Sequence, residues 1–165
     1  MGTRAWERDL SLLAVEEVVH MPYHWAIGLD GSKFFQEIKD REVLLGIRCP
    51  KCRKVYVPPR MVCGPCFVKM DELMELGKEG AVQAVTLVDY PFIDPDTGDR
   101  RPTPYIYGYI QLDGADNLFS HIIKTPPGLS VQVGDRVRAV FTAEKKGRIQ
   151  DIAYFEPVAA HREHE

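Results

Sequence analysis

The residues most able to do chemistry are the cysteines. Cys49-Pro50-Lys51-Cys52 is followed, after ten intervening residues, by Cys63-Gly64-Pro65-Cys66, and these two pairs hold every cysteine of the chain. A CxxC turn directs both of its sulfurs to the inside of a tight knuckle, and two such knuckles can surround one ion tetrahedrally. Disulfides and free core thiols are the competing readings; the paired two-residue spacing, in a reducing compartment, favours a metal. Four thiolates suit zinc and iron alike. Zinc is preferred because nothing else in the sequence resembles an electron-transfer protein, with a rubredoxin-like iron centre as the alternative. A site closed by four thiolates has no open position for water or substrate, so Cys49, Cys52, Cys63 and Cys66 predict a structural metal and leave no thiol to act as a nucleophile.

The other candidates for chemistry are weaker. His20 and His24 are four apart, but Pro22 lies between them and breaks the helical geometry that would bring them onto one face. His161 and His164 sit in a polar tail, and His121 falls in a strand with no Ser or Cys poised beside it. There is no G-x-S-x-G elbow, phosphate loop or dinucleotide fingerprint. The sequence therefore argues against a chain that is catalytic alone. Tyr105, Tyr107 and Tyr109 alternate along one strand and share a face, which fits core or interface aromatics. They could also stack bases. Residues 80–157, however, carry eight basic and ten acidic groups, which disfavours a groove tracking a phosphate backbone and hence a nucleic-acid partner.

These residues must be positioned by a chain of 165 residues, long enough to bury a core without disulfide staples. Its composition, 45% hydrophobic and 27% charged, is that of a globular protein. The net charge of −3 exerts no global pull on nucleic acid or anionic membranes. The N-terminus lacks an apolar signal segment and no apolar run is long enough to span a bilayer, so a cytoplasmic protein without membrane contact is expected. Residues 4–19 read as an amphipathic helix ended by Pro22. A second helix is expected to start near Asp30 or Ser32, either of which could cap it, and to run to Arg41. From Val43 the chain turns β-branched and enters the cysteine segment as a short strand. Five strands are predicted beyond it, over Ala81–Phe92, Pro104–Leu112, Asn117–Lys124, Arg136–Ala143 and Arg148–Phe155. The turns between them include Asp113-Gly114, Gly134-Asp135 and Lys146-Gly147. Five strands without helical crossovers predict an antiparallel barrel of the OB type. The fold class is thus mainly β with N-terminal helices: a rubredoxin-like zinc ribbon followed by a five-stranded OB-fold barrel. The predicted divisions are a helical segment at 1–45, the ribbon at 46–76, the barrel at 77–158 and a polar tail at 159–165.

Three stretches carry a resemblance. Leu44-Leu45-Gly46-Ile47-Arg48-Cys49-Pro50-Lys51-Cys52, Val55-Tyr56-Val57-Pro58-Pro59-Arg60 and Cys63-Gly64-Pro65-Cys66 stand in order before a barrel that ends Ile152-Ala153-Tyr154-Phe155-Glu156-Pro157. Over roughly residues 30–157 the chain resembles the zinc-ribbon plus OB-fold proteins of domain-of-unknown-function family 35, the acyl-coenzyme A-associated OB-fold proteins. Within that family it is most similar to the zinc-finger subunits of benzoylsuccinyl-coenzyme A thiolases of anaerobic toluene degradation. The resemblance implies a non-catalytic accessory subunit in a hetero-oligomer with a thiolase-fold catalytic subunit, shaping or closing a site for a bulky acyl-coenzyme A thioester. An accessory subunit of a thiolase-like aldolase is the alternative. The ribbon segment 46–72 holds six basic groups against two acids, and Arg and Lys suit the phosphates of coenzyme A. Arg60 is the leading candidate for contact with coenzyme A or the partner, since Pro58 and Pro59 stiffen the chain presenting it; Pro59 and Lys54 are the others.

Overall fold

The computed structural model describes residues 25–91, 93, 98–126 and 130–158. The helix predicted over 4–19 and the tail 159–165 lie outside the described residues. Among those described there is one α-helix, α1 (Gly28–Arg41), rather than a helical pair. It begins earlier than its capping residues suggest. Ile27 occupies the N-cap with no side-chain bond, Asp30 falls in the first turn, and Ser32 Oγ donates 2.7 Å back to the Gly28 carbonyl. The helix buries Phe34 and Ile38 and stops where Glu42 turns left-handed (φ 56°).

The ribbon follows as β1 (Leu44–Arg48), β2 (Val55–Tyr56) and β3 (Glu72–Leu76), an antiparallel sheet in the order β2-β1-β3. Gly46 at the centre of β1 is required by close packing: a Cβ there would stand 2.8 Å from Val55 Cγ1. The remaining strands are β4 (Glu79–Val88), β5 (Tyr105–Leu112), β6 (Phe119–Ile123), β7 (Arg136–Phe141) and β8 (Ile152–Pro157). They close a barrel in the order β4-β5-β6-β8-β7, with β6 and β8 parallel and the other neighbours antiparallel. This is the five-stranded OB barrel. Gly80 sits where β4 crosses β5; a Cβ would meet the Gln111 carbonyl oxygen at 2.4 Å.

Two of the predicted strands are trimmed for a visible reason. The segment predicted as Arg148–Phe155 opens with a 3-10 turn at Ile149–Asp151 because the buried Asp151 carboxylate (2% exposed) collects three backbone N–H groups, those of Lys146, Gly147 and Arg148, at 2.6–3.2 Å. The segment predicted as Asn117–Lys124 starts at Phe119, because the Asn117 side chain is bonded to the ribbon instead. Tyr105, Tyr107 and Tyr109 do alternate on one face, but none is in the core: the first two are half-buried and Tyr109 is 50% exposed.

The larger core joins helix, ribbon and barrel. Phe34 and Ile38 of α1 and Leu44, Leu45 and Val55 of the ribbon pack with Val82, Ile110, Leu112, Phe119, Ile152 and Phe155 of the barrel. A second, smaller core of Ile47, Cys49, Tyr56, Cys63 and Met70 lies under the cysteines. Among the described residues, no helix is long and apolar enough to cross a membrane.

Candidate metal centre

Two loops of the ribbon build the centre with one hydrogen-bond pattern used twice. In the first, the Arg53 N–H donates to the Cys49 carbonyl (3.0 Å) and the Cys49 N–H to the Lys54 carbonyl (2.9 Å). In the second, the Phe67 N–H donates to the Cys63 carbonyl (2.8 Å) and the Cys63 N–H to the Val68 carbonyl (3.0 Å). Each knuckle closes on a left-handed residue, Arg53 (φ 64°) or Phe67 (φ 52°). The first cysteine of each pair, Cys49 and Cys63, is fully buried; the second is nearer the surface.

The four Sγ atoms lie within 4.8 Å of one another, and those of Cys52 and Cys63 are 3.8 Å apart. A tetrahedron with metal–sulfur bonds of about 2.3 Å has edges of about 3.8 Å, so the donor set fits a thiolate-held ion. These four cysteines are therefore positioned to bind a metal, as their spacing predicts.

The surroundings favour thiolate at Cys63. The Cys52 N–H points at Cys49 Sγ (3.4 Å), and the Tyr56 hydroxyl lies 3.5 Å from Cys63 Sγ. That hydroxyl contact holds the Cys63 thiol down to about 6 and pushes Tyr56 up to about 12, because both gain from a proton kept between them on the phenol. Burial pushes Cys66 up to about 12. A bound ion overrides these differences, since it takes its cysteines as thiolates.

Tyr56 was not among the residues picked out from the sequence. Its residue type is visible in the sequence, a hydroxyl in an otherwise apolar stretch between the cysteine pairs, but its partner is not. The same ring carries Arg60, whose guanidinium carbon sits 3.7 Å over its centroid. Tyr56 thus links the cysteine cluster on one side to a surface cation on the other. Arg60 and Lys54 are exposed, and Pro59 is buried. Of the six basic residues in the ribbon, Arg48 and Arg53 both pair with Glu72. Among the described residues, no carboxylate pairs with Lys51, Lys54, Arg60 or Lys69.

The ribbon is fixed to the barrel through the β5–β6 loop. Asp116 Oδ2 accepts from the Val55 N–H (2.8 Å) and the Asp116 N–H donates to the Val55 carbonyl (2.9 Å). The Asn117 amide accepts from the Val57 N–H (2.8 Å) and donates to the Val57 carbonyl (2.7 Å). The open edge of β2 is thereby occupied by the barrel, and the Pro58-Pro59-Arg60 segment leaves from a clamped base.

A four-cysteine ribbon joined in this way to a closed five-stranded barrel defines a zinc-ribbon plus OB-fold protein. Residues 36–71 match the family described as "ChsH2, rubredoxin-like zinc ribbon domain", and residues 74–142 match "ChsH2, C-terminal OB-fold domain". A "DUF35 domain-containing scaffold protein" of Methanocaldococcus jannaschii is 30% identical over 113 residues, covering 68% of this chain and 77% of the relative. A protein of the same description from Methanothermobacter thermautotrophicus is 28% identical over 110 residues, 65% of this chain and 77% of the relative. The chain belongs to the DUF35 family. Its fold is shared with a DUF35 protein of unknown function from Sulfolobus solfataricus (TM-score 0.55, 22% identity, 79% of this chain and 84% of the other). It is also shared with a chain of the structure described as "Ltp2-ChsH2(DUF35) aldolase" (TM-score 0.58, 19% identity, 81% and 98%).

Proposed function

We propose that this chain is a non-catalytic accessory subunit of a thiolase-fold enzyme acting on a bulky acyl-coenzyme A of the aromatic, benzoylsuccinyl type, and that its structural zinc ribbon shapes or covers the active site. The observation that carries this reading is the convergence of all four thiols of the chain into one cluster. A site with four thiolates around an ion has no open coordination position, and thiolytic carbon–carbon cleavage needs a nucleophile to take up the acyl group, which the partner must then bring. The scaffold description of the curated relatives supports the same role.

Arg60 supports the acyl-coenzyme A part of the reading. It is an exposed guanidinium, stacked on Tyr56 and unpaired with any described carboxylate, beside Lys54 in a ribbon with a local basic excess. Such a group suits phosphate. A cover held by a metal and a clamped strand would exclude water from a wide pocket while preserving the geometry on which the reaction depends.

A second reading, an accessory subunit of a thiolase-like aldolase, is favoured by the shared fold with the Ltp2-ChsH2(DUF35) aldolase. The two differ in stoichiometry. Thiolysis consumes free coenzyme A and yields two coenzyme A thioesters, whereas retro-aldol cleavage consumes none and yields one shortened thioester and an aldehyde or ketone. The test is to co-purify the chain with a thiolase-fold subunit and follow cleavage with and without free coenzyme A. Strict dependence on coenzyme A is expected; cleavage to a carbonyl product without it would assign the aldolase reading. Failure of the chain to join any thiolase-fold protein would remove both.

A further inference from the structure

The two knuckles share a backbone and differ in what closes them. Arg53, at the left-handed position of the first, is tied to the chain's own Glu72 at 3.3 Å. Phe67, at the same position of the second, is 85% exposed. This placement is unfavourable twice over, since a bulky L-residue resists a φ of 52° and a phenyl ring resists water. It is not isolated. In the same hairpin Met61 is 64% and Val62 44% exposed, with Val62 bridged to Lys69 and the Met70 N–H donating to the Met61 carbonyl at 2.8 Å. Arg60 and Lys69 flank these side chains, and no described carboxylate pairs with either.

We propose that the second knuckle is a docking knob: Phe67, with Met61 and Val62 beside it, seats in an apolar pocket with an acidic rim on the catalytic subunit. This rests on the accessory-subunit reading and identifies the surface that meets the partner. An exposed aromatic on a rigid turn, ringed by polar groups, is the anatomy of an interface anchor. Charge favours a different chain as occupant. Docking the knob on the same face of a second copy would set Lys69 against its own duplicate in a ribbon with a local basic excess, whereas an acidic rim complements Lys69.

The same backbone supplies its own control variants. Glycine adopts a φ near 52° without strain, and arginine already occupies this position in the first knuckle. Full-length wild type, Phe67→Gly and Phe67→Arg would each be titrated against the purified thiolase-fold proteins of the same genome, with zinc content and melting temperature measured alongside. Both variants are expected to keep the zinc and the melting temperature of wild type while binding the thiolase-fold subunit roughly 30-fold or more weakly. Wild-type affinity in Phe67→Gly would overturn the knob and leave the accessory reading standing; a wild type that binds none of these proteins would overturn that reading and the knob together. Loss of zinc or of folding in both variants would make Phe67 a structural residue and overturn the proposal. So would a wild-type dimer, or binding to phosphatidylserine vesicles, that Phe67→Gly abolishes while partner binding persists.

Discussion

Tyr56 concentrates more of the ribbon's physics than any single cysteine does, because its two ends serve different purposes. The hydroxyl reaches Cys63 Sγ and the ring face holds Arg60, so Tyr56→Phe and Arg60→Ala separate the two. Groups that hydrogen-bond a metal ligand tune its affinity, typically by 10- to 100-fold. Wild type is expected to carry one zinc per chain, and Tyr56→Phe to lose zinc to a competing chelator at a roughly 10- to 100-fold lower chelator concentration. Equal retention in the two proteins would mean that the hydroxyl only fills space. Arg60→Ala leaves the cysteines untouched. It should lower kcat/KM of the assembled enzyme by about 1–3 kcal/mol of transition-state or binding energy, at matched zinc occupancy, if Arg60 makes a charge-assisted contact. Unchanged kinetics would make Arg60 a solubilising surface group. The metal residues were legible from the sequence because CxxC spacing is itself the geometry of a knuckle. Tyr56 was not, because a hydroxyl's partner seven residues away depends on where β2 lies against the second knuckle, which spacing alone does not encode.

At the scale of elements, the turn between β7 and β8 shows how a side chain can override strand propensity. Asp151 is buried and yet its carboxyl stays below the ordinary carboxylate range: burial pushes it up, and the N–H groups of Lys146, Gly147 and Arg148 outweigh that penalty. The depressed folded value means that its stabilising contribution is fully present above the unfolded value near 3.9 and is lost as the pH falls through the folded one. Asp151→Asn should therefore cost roughly 1–3 kcal/mol at neutral pH. The gap from wild type should narrow below about pH 4, read from denaturant unfolding across that range; a gap independent of pH would show that the carboxylate's charge contributes nothing. The sequence pattern identified all five barrel strands, since Val, Ile, Tyr and Phe runs separated by Gly and Asp turns are a local signal. It overextended the last strand and missed β3 (Glu72–Leu76). β3 alternates too weakly to announce itself and is defined by its pairing with β1, a contact made across the whole cysteine hairpin.

At the scale of the molecule, α1, ribbon and barrel behave as one body. Glu42 at the end of α1 receives Lys78 from just before β4 (3.2 Å) and Lys145 from the β7–β8 turn (3.0 Å), and Asp116 and Asn117 grip the edge of β2. None of these long-range clamps was legible in the sequence, where Asn117 reads only as the start of a strand. Together they give the metal knuckles and Arg60 a fixed place relative to the barrel, as a subunit that covers another protein's site requires. The central claim is that this body completes a catalytic partner and performs no cleavage itself. The most direct measurement is acyl-coenzyme A cleavage by three samples at matched protein concentration: the purified zinc-loaded chain, the purified thiolase-fold subunit, and the two together. The account predicts no turnover from the chain alone and a rate in the mixture well above that of the catalytic subunit alone; turnover by the isolated chain, or a mixture no faster than the catalytic subunit, would contradict it.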